Sequence, residues 1–135
     1  GVYNHTNFLW VVAINQRYAG HAKQVGHAVL SCSASARNGR YIVVVDEDID
    51  PTSMFDVIWA MSTRCDPPKD IDYIRGAWST PLDTMLEGPP YENNRAIVDA
   101  CRPWGRKDTF PTVAEASPEL KEKMHQKYKE LFSAL

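Results

Sequence analysis

The sequence predicts an α/β fold with a mostly parallel or mixed central sheet, flanked by helices and followed by a C-terminal amphipathic helix. Segments of consecutive β-branched and aromatic residues alternate with segments whose apolar residues recur at helical spacing. The order strand, helix, strand, helix, strand favours parallel pairing with right-handed crossovers, because such connections pack helices back onto the sheet. A chain of 135 residues has the usual size of one domain. We therefore expect a single domain over residues 1–135.

The first strand and the first helix are predicted from the segment that starts at Phe8. Residues 8–14 are apolar and rich in β-branched and aromatic side chains, which is typical of a strand covered on both faces. A helix of about four turns should follow and end before Asn38 and Gly39. Its buried face is predicted to comprise Ala22, Val25, Val29, Cys32 and Ala36.

A second strand and helix follow directly. Residues 41–45 are almost purely β-branched and lead into an acidic turn. Asp50 can cap a helix whose first position is Pro51, since proline lacks only an N–H that would be unpaired there. This helix should end near Arg64, before a proline pair. Its buried face is predicted to comprise Met54, Val57, Ile58 and Met61.

The remaining elements are predicted less regularly. Short strands are expected at residues 71–74 and 96–99, separated by a stretch with many glycines and prolines that runs through Pro90. The last helix should begin at Ser117, and its outer face is rich in lysine. Its apolar stripe comprises Leu120, Met124, Leu131 and Leu135.

Charge and hydropathy exclude several kinds of partner. The formal net charge is −2 and the basic residues are scattered, so the sequence shows no footprint for nucleic acid or an anionic membrane. The longest apolar run is far shorter than the roughly 20 residues of a membrane helix. Cys32, Cys65 and Cys101 are odd in number and widely spaced, which suits reduced thiols in the cytoplasm.

The sequence predicts no metal site. Asp46, Asp48 and Asp50 resemble the opening of a calcium loop, but Pro51 and Val57 stand where that loop needs glycine and glutamate. We interpret the acidic cluster as helix capping and salt bridging. The histidines and cysteines show none of the short paired spacings of a structural zinc site.

A ligand site is predicted where the first strand passes into the first helix. Ligands of open α/β sheets bind at the carboxyl ends of strands, and a helix N-terminus presents free N–H groups to an anion. Arg17, Tyr18, Gly20, His21 and Lys23 occupy this junction. The alternative interpretation is an ordinary capped surface turn.

Three blocks of sequence together resemble one family. They are RYAGHAKQV at residues 17–25, IVVVDEDID at residues 42–50 and DVIWAMSTRCDP at residues 56–67. Their composition, order and spacing are similar to the C-terminal domain of the UbiD-like decarboxylases. The resemblance is strong over residues 10–70 and weaker over residues 81–100.

The resemblance implies the C-terminal domain of a larger enzyme that decarboxylates aromatic acids reversibly and without oxidation, using prenylated FMN and a divalent metal such as Mn²⁺. The catalytic network and the metal ligands of the family lie in an N-terminal flavin-binding domain, so this chain should be inactive by itself. The resemblance also implies a homo-oligomer. The alternative is a stand-alone self-association or acid-binding module without catalytic activity.

The resemblance also implies which residues contact the ligands. His21 corresponds to a substrate-pocket position, and Met61 and Thr63 fall on the helix that faces the substrate ring. Tyr18, near His21, is a further candidate substrate contact, and His21 is in addition a candidate proton shuttle. Polar groups at these positions favour a hydroxybenzoate such as 3,4-dihydroxybenzoate, whereas Met61 could equally be a core residue. The candidate contacts of the cofactor phosphate are Asn15, Arg17 and Lys23. Asn15 stands near where several relatives have a lysine that reaches this phosphate, so the alternatives are that the contact is lost or that it passes to Arg17.

Overall fold

The computed structural model describes residues 1–129 as one five-stranded sheet with helices on both faces. A short 3₁₀ turn, Trp104–Arg106, follows the last strand. The strands and helices are β1 (Val2–Thr6), β2 (Leu9–Ile14), α1 (His21–Ser31), β3 (Tyr41–Asp46), α2 (Met54–Arg64), α3 (Pro67–Asp70), β4 (Ile71–Trp78), β5 (Glu92–Ala100) and α4 (Pro118–Lys127).

The sheet is mixed, with the strand order β1-β2-β3-β5-β4. Its three central strands, β2, β3 and β5, are parallel to one another, while β1 and β4 pair antiparallel at the two edges. The prediction of a mostly parallel or mixed sheet is therefore confirmed. The edge strand β1 was not predicted, because its sequence VYNHT contains no apolar run and most of it is exposed.

The core has two layers, one on each face of the sheet. Alternate residues of the central strands point to opposite faces, as the period of a strand requires. Val43 and Val45 pack with Val57 and Ala60 beneath α2, and Val44 packs beneath α1 with residues that include Ala22 and Ile97. The uninterrupted apolar sequence of β3 follows from this coverage of both faces.

Helix α1 is shorter than predicted. It ends at Ser31 rather than continuing to Ala36, and the chain turns over residues 32–38. The Ser35 hydroxyl donates a hydrogen bond to the carbonyl oxygen of Val29, near the end of the helix. A side-chain bond of this kind competes with helix continuation, which explains why periodicity alone extended the helix too far.

Helix α2 begins later than predicted. Asp50 does not cap it: one carboxylate oxygen of Asp50 accepts from the Thr52 N–H at 2.8 Å and from the Thr52 hydroxyl at 2.7 Å, forming a local turn. The cap is Ser53, whose hydroxyl accepts from the Asp56 N–H at 3.3 Å. The predicted end at Arg64 is confirmed.

The C-terminal helix begins where it was predicted. Ser117 caps it by accepting from the Leu120 N–H at 3.2 Å. All ten residues of α4 are exposed, so the structure does not show an apolar face of α4 docked on the sheet. Leu131 and Leu135 of the predicted stripe lie outside the described residues. Within residues 1–129, no helix has the length and apolar character needed to cross a bilayer.

Candidate functional site

The three parallel strands end at one edge of the sheet, and the candidate site lies there. The last residues of these strands are Ile14, Asp46 and Ala100. The segments that follow them, at residues 15–20, 47–53 and 101–106, therefore lie side by side. This edge is where open α/β sheets bind ligands.

Asp46 is the centre of a buried polar network at this edge. One carboxylate oxygen accepts from Gln16 Nε2 at 2.8 Å. The other accepts from Arg64 Nη1 at 3.2 Å, from the Arg102 N–H at 2.7 Å and from Arg102 Nε at 3.2 Å. Gln16 Nε2 also donates to the carbonyl oxygen of Arg102 at 2.9 Å. The network therefore links the ends of all three parallel strands.

Arg64 extends this network to the acidic turn. Its Nη1 and Nη2 donate to the two oxygens of Asp48 at 2.9 and 2.8 Å. The hydrogen bonds from Arg64 hold the pKa of Asp48 below its usual range, and Asp48 in turn raises the pKa of Arg64. The salt-bridging interpretation of the acidic cluster is thus confirmed for Asp46 and Asp48. Residues 1–129 contain no group of His, Cys, Asp or Glu side chains arranged to hold a metal ion.

The predicted ligand junction forms a compact cluster around His21, the first residue of α1. The Tyr18 ring lies against the imidazole, with 4.5 Å between the ring centroids. The Arg17 N–H donates to His21 Nδ1 at 3.3 Å. Because Nδ1 accepts this bond, the proton of the neutral imidazole is on Nε2, which can donate to a ligand. Gly20 precedes the helix with a φ of 82°, in the left-handed region that glycine tolerates.

The three residues proposed to contact the phosphate differ in whether their side chains are already engaged within the chain. The exposed side chains of Asn15 and Arg17 have no hydrogen-bond partner within the described part of the chain. Lys23 is engaged: its ammonium donates to the Lys69 carbonyl oxygen at 2.8 Å and to Asp72 Oδ1 at 3.0 Å. Arg17 is therefore the cation at this junction that can bind an anion without breaking an existing ion pair.

A pocket of about 230 Å³ lies between the start of α1 and the segment after β5. Burial raises the pKa of Asp99 and also that of the Cys101 thiol, which keeps the thiol protonated. The pocket therefore offers hydrogen-bonding groups rather than a nucleophile. Its walls are formed by Gln16, Gly20, Lys23, Asp70, Asp99, Cys101, Arg102, Pro103 and Trp104.

Met61 and Thr63 lie on α2, and so on the other face of the sheet from α1. Met61 is half-buried and packs against the core beneath α2. Thr63 is exposed and its hydroxyl donates to the Trp59 carbonyl oxygen at 2.8 Å. Thr63 borders a second pocket, of about 550 Å³, whose walls do not include Tyr18 or His21. The structure thus brings Arg17, Tyr18 and His21 together and leaves Met61 and Thr63 apart from them.

A comparison with known protein families shows which family the chain belongs to. Residues 2–100 match the family model described as the 3-octaprenyl-4-hydroxybenzoate carboxy-lyase C-terminal domain, the UbiD C-terminal domain. The chain belongs to this family. The match covers all five strands of the domain, and it confirms the resemblance seen in the sequence blocks.

Solved and curated relatives show the same family. The chain is 34% identical over 93 residues to a phenolic acid decarboxylase of Sedimentibacter hydroxybenzoicus, covering 69% of this chain and 19% of that protein. The vanillic acid decarboxylase structure of that organism matches 97% of this chain and 28% of its own, with a TM-score of 0.73 and 31% identity. A 3,4-dihydroxybenzoic acid decarboxylase of Enterobacter cloacae matches 87% of this chain and 26% of its own, with a TM-score of 0.69 and 25% identity.

A third structure shares the fold. The UbiD-class enzyme HmfF of Pelotomaculum thermopropionicum, in complex with FMN, gives a TM-score of 0.71 at 24% identity, covering 85% of this chain and 24% of its own. The UbiD C-terminal domain described here thus spans between 19% and 28% of these relatives' lengths.

Three residues of this UbiD C-terminal domain were missed by the sequence analysis. Gln16, Asp99 and Arg102 border the pocket at the carboxyl edge, and Gln16 and Arg102 also bind Asp46. A signal existed for two of them, because Gln16 lies two residues after the predicted strand at residues 8–14 and Arg102 three residues after the predicted strand at residues 96–99. The rule that pointed to Arg17 and His21 would have selected them too.

Proposed function

We propose that this chain is the C-terminal domain of a reversible, non-oxidative aromatic acid decarboxylase that uses prenylated FMN. The observation that carries this proposal is the family match over residues 2–100. Relatives that act on vanillic acid and 3,4-dihydroxybenzoic acid favour a hydroxybenzoate as substrate, with 3,4-dihydroxybenzoate as the first candidate.

Tyr18 and His21 form one proposed wall of the substrate site. His21 Nε2–H is free to donate to a ring hydroxyl or to the carboxylate, and the Tyr18 ring restricts the imidazole. Met61 and Thr63 form the other proposed wall. Because the two pairs lie on opposite faces of the sheet, they reach one substrate only across its carboxyl edge, which the flavin-binding domain would close.

The bond between Arg17 N–H and His21 Nδ1 bears on the proposed proton shuttle. A doubly protonated imidazole would place Nδ1–H against the Arg17 N–H and lose this bond. The geometry therefore favours a role for His21 as a hydrogen-bond donor, through Nε2, that orients the substrate. Proton delivery from His21 would require the loop to move.

The residues at the junction fit an anionic cofactor. Arg17, whose guanidinium has no partner in the described part of the chain, belongs to the segment that leads into the N-terminus of α1, and both groups attract a phosphate. We assign the main phosphate contact to Arg17, with Asn15 as a neighbouring contact. Lys23 would contact the phosphate only after its ion pair with Asp72 breaks. Prenylated FMN would supply the electron sink for loss of CO₂. Mn²⁺ would be held by the flavin-binding domain.

The proposed partners are an aromatic carboxylic acid, the N-terminal flavin-binding domain and further copies of the same protein. The three free cysteines suit an enzyme of the reducing cytoplasm.

The test uses the complete enzyme loaded with prenylated FMN, assayed for CO₂ release from 3,4-dihydroxybenzoate and vanillate. We expect His21→Ala to lower kcat/KM by about tenfold or more, which corresponds to loss of one strong hydrogen bond. The matched control is His27→Ala, which removes an exposed histidine of the same helix that lies 3.7 Å from Asp72. Residues 1–135 alone should release no CO₂ above a blank. Normal turnover by His21→Ala, or activity of the isolated chain, would contradict the assignment.

A further inference from the structure

A pocket of about 380 Å³ lies at the amino ends of the parallel strands, at the opposite edge of the sheet from the ligand junction. Its walls come from three segments: residues 7–8, just before β2, residues 33–38, before β3, and residues 80–82, after β4. Clefts of roughly 300–1,000 Å³ are typical of sites for small molecules. The pocket at this edge, which we call the amino-edge pocket, has no part in the function proposed above.

Buried hydrogen bonds hold two walls of the amino-edge pocket together. Arg95, which is only 2% exposed, donates from Nη1 to the Ser35 carbonyl oxygen at 3.3 Å and from Nη2 to the Ala36 carbonyl oxygen at 2.7 Å. Its Nη2 also donates to the carbonyl oxygen of Trp78, the last residue of β4. One buried guanidinium therefore fixes residues 33–38 against the end of β4, and ligand sites require walls that are fixed in this way.

The charge of the amino-edge pocket is positive and unpaired. Arg37 borders it, and within the described residues no acidic side chain does. The Arg37 guanidinium lies over the Trp78 ring, 5.1 Å from its centroid, and has no hydrogen bond or ion pair to residues 1–129. Arg40, by contrast, is neutralised by its ion pair with the buried Asp83. A free guanidinium at a cavity binds a carboxylate through two parallel N–H groups, so the pocket favours an acid.

The other groups that border the amino-edge pocket define the rest of the ligand. Phe8 and Leu82 supply apolar surface, which suits an aromatic ring. Asn38 Oδ1 is buried and accepts no hydrogen bond from the described part of the chain. A buried acceptor without a donor is unfavourable, so a ligand hydroxyl that donates to it would be stabilising. The Thr80 hydroxyl accepts from the Leu82 N–H at 3.4 Å, which leaves its own proton available to the ligand.

We propose that the amino-edge pocket binds a small aromatic acid that carries a ring hydroxyl. Arg37 binds the carboxylate, Phe8 and Leu82 contact the ring, and Asn38 accepts from the hydroxyl. The inference goes beyond the decarboxylase function and does not rest on it, because the class of ligand follows from the residues of this pocket alone.

NMR titration of the ¹⁵N-labelled chain with 3,4-dihydroxybenzoate locates the bound acid. We expect the amide signals of residues 33–38 and 80–82 to shift saturably, with a Kd of about 1 mM or tighter. Catechol lacks the carboxylate and inorganic phosphate lacks the ring, so each should bind at least about tenfold more weakly. Shifts confined to residues 15–23, no saturable shift, or equal binding of phosphate would each overturn the proposal.

Two variants test the assignment of the pocket residues. Arg37→Gln should weaken binding of 3,4-dihydroxybenzoate by about tenfold, because the carboxylate loses its charged partner. Ala34→Phe places a ring in the pocket and should abolish binding. Both side chains are exposed, so the circular dichroism of the wild type should be kept. The matched control is Arg75→Gln, which removes an exposed arginine of β4 outside the pocket and should leave the Kd unchanged.

Wild-type affinity in both folded pocket variants, or equal weakening by the control, would refute the site. These outcomes are separate from a failure of the proposed decarboxylase function, because they measure binding to residues 1–135 and not CO₂ release by the complete enzyme.

Discussion

Asp46→Asn is expected to be the most damaging conservative substitution at the carboxyl edge of the sheet. The Asp46 carboxylate accepts from Gln16, from Arg64 and twice from Arg102. An asparagine has one acceptor oxygen and one NH₂ group in place of the two oxygens. Whichever way the amide is turned, its NH₂ faces at least one of these donors.

The magnitude follows from the burial of this network. The side chains of Asp46 and Arg64 are each only 2% exposed, so a lost charge or hydrogen bond cannot be replaced by water. Removing one partner of a buried ion pair costs about 3–5 kcal/mol. Domains of this size are stable by about 5–15 kcal/mol, so the variant should lose a large part of its stability. Asp48 is the matched control, because its side chain is 40% exposed, so water still reaches that end of the pair, and Arg64 keeps its bond to Asp46. Asp48→Asn should therefore cost less stability than Asp46→Asn.

Urea unfolding of residues 1–135 at pH 7, followed by circular dichroism, measures both changes. The midpoint should fall strongly for Asp46→Asn and slightly for Asp48→Asn, with equal slopes showing that the unfolded states are comparable. If the two variants lost the same stability, or if Asp46→Asn lost less than about 1 kcal/mol, the network would not hold this edge together.

Two further substitutions test other parts of the fold. Burial raises the pKa of Asp83, but hydrogen bonds, chiefly from Arg40, outweigh it, so the pKa lies below its ordinary value. The stability it gives is present above the unfolded pKa of about 3.9 and is lost as pH falls towards the folded pKa. Asp83→Asn should thus flatten the loss of stability between neutral and acid pH in urea titrations; an unchanged acid dependence would contradict this. At Gly26 a Cβ would lie 2.3 Å from Ile97 Cγ2, so Gly26→Ala should lower the free energy of unfolding by about 1–3 kcal/mol. Gly105→Ala, with no atom within 4 Å of its Cβ, is the control, and equal melting temperatures would refute the close packing.

The central layer of the fold was predictable because its sequence signals are local. The strand ending at Asp46 is apolar throughout, since both of its faces are covered, and Arg64 closes α2 just before a proline pair. The start of α2 was not predictable from spacing, because Asp50 and Ser53 are both good capping residues. Only the structure shows that Asp50 binds Thr52 instead. The hairpin strand β1 escaped prediction since an exposed edge strand needs no apolar pattern.

The same distinction between local and distant contacts applies to the candidate site. Arg17, Tyr18 and His21 are neighbours in sequence, so spacing alone placed them together, and the structure agrees. The bonds from Gln16 and Arg102 to Asp46 span 30 and 56 positions, so only the order of the strands brings these residues into contact.

These distant bonds matter for the ligand junction. Gln16 directly precedes Arg17, and its amide is fixed to both Asp46 and the carbonyl oxygen of Arg102. The loop that presents Arg17, Tyr18 and His21 is therefore anchored at its base to the ends of the two neighbouring strands. A site held in this way meets its ligand with little further loss of conformational entropy. The buried network thus does more than stabilise the fold, because it also anchors the loop that carries the proposed binding residues.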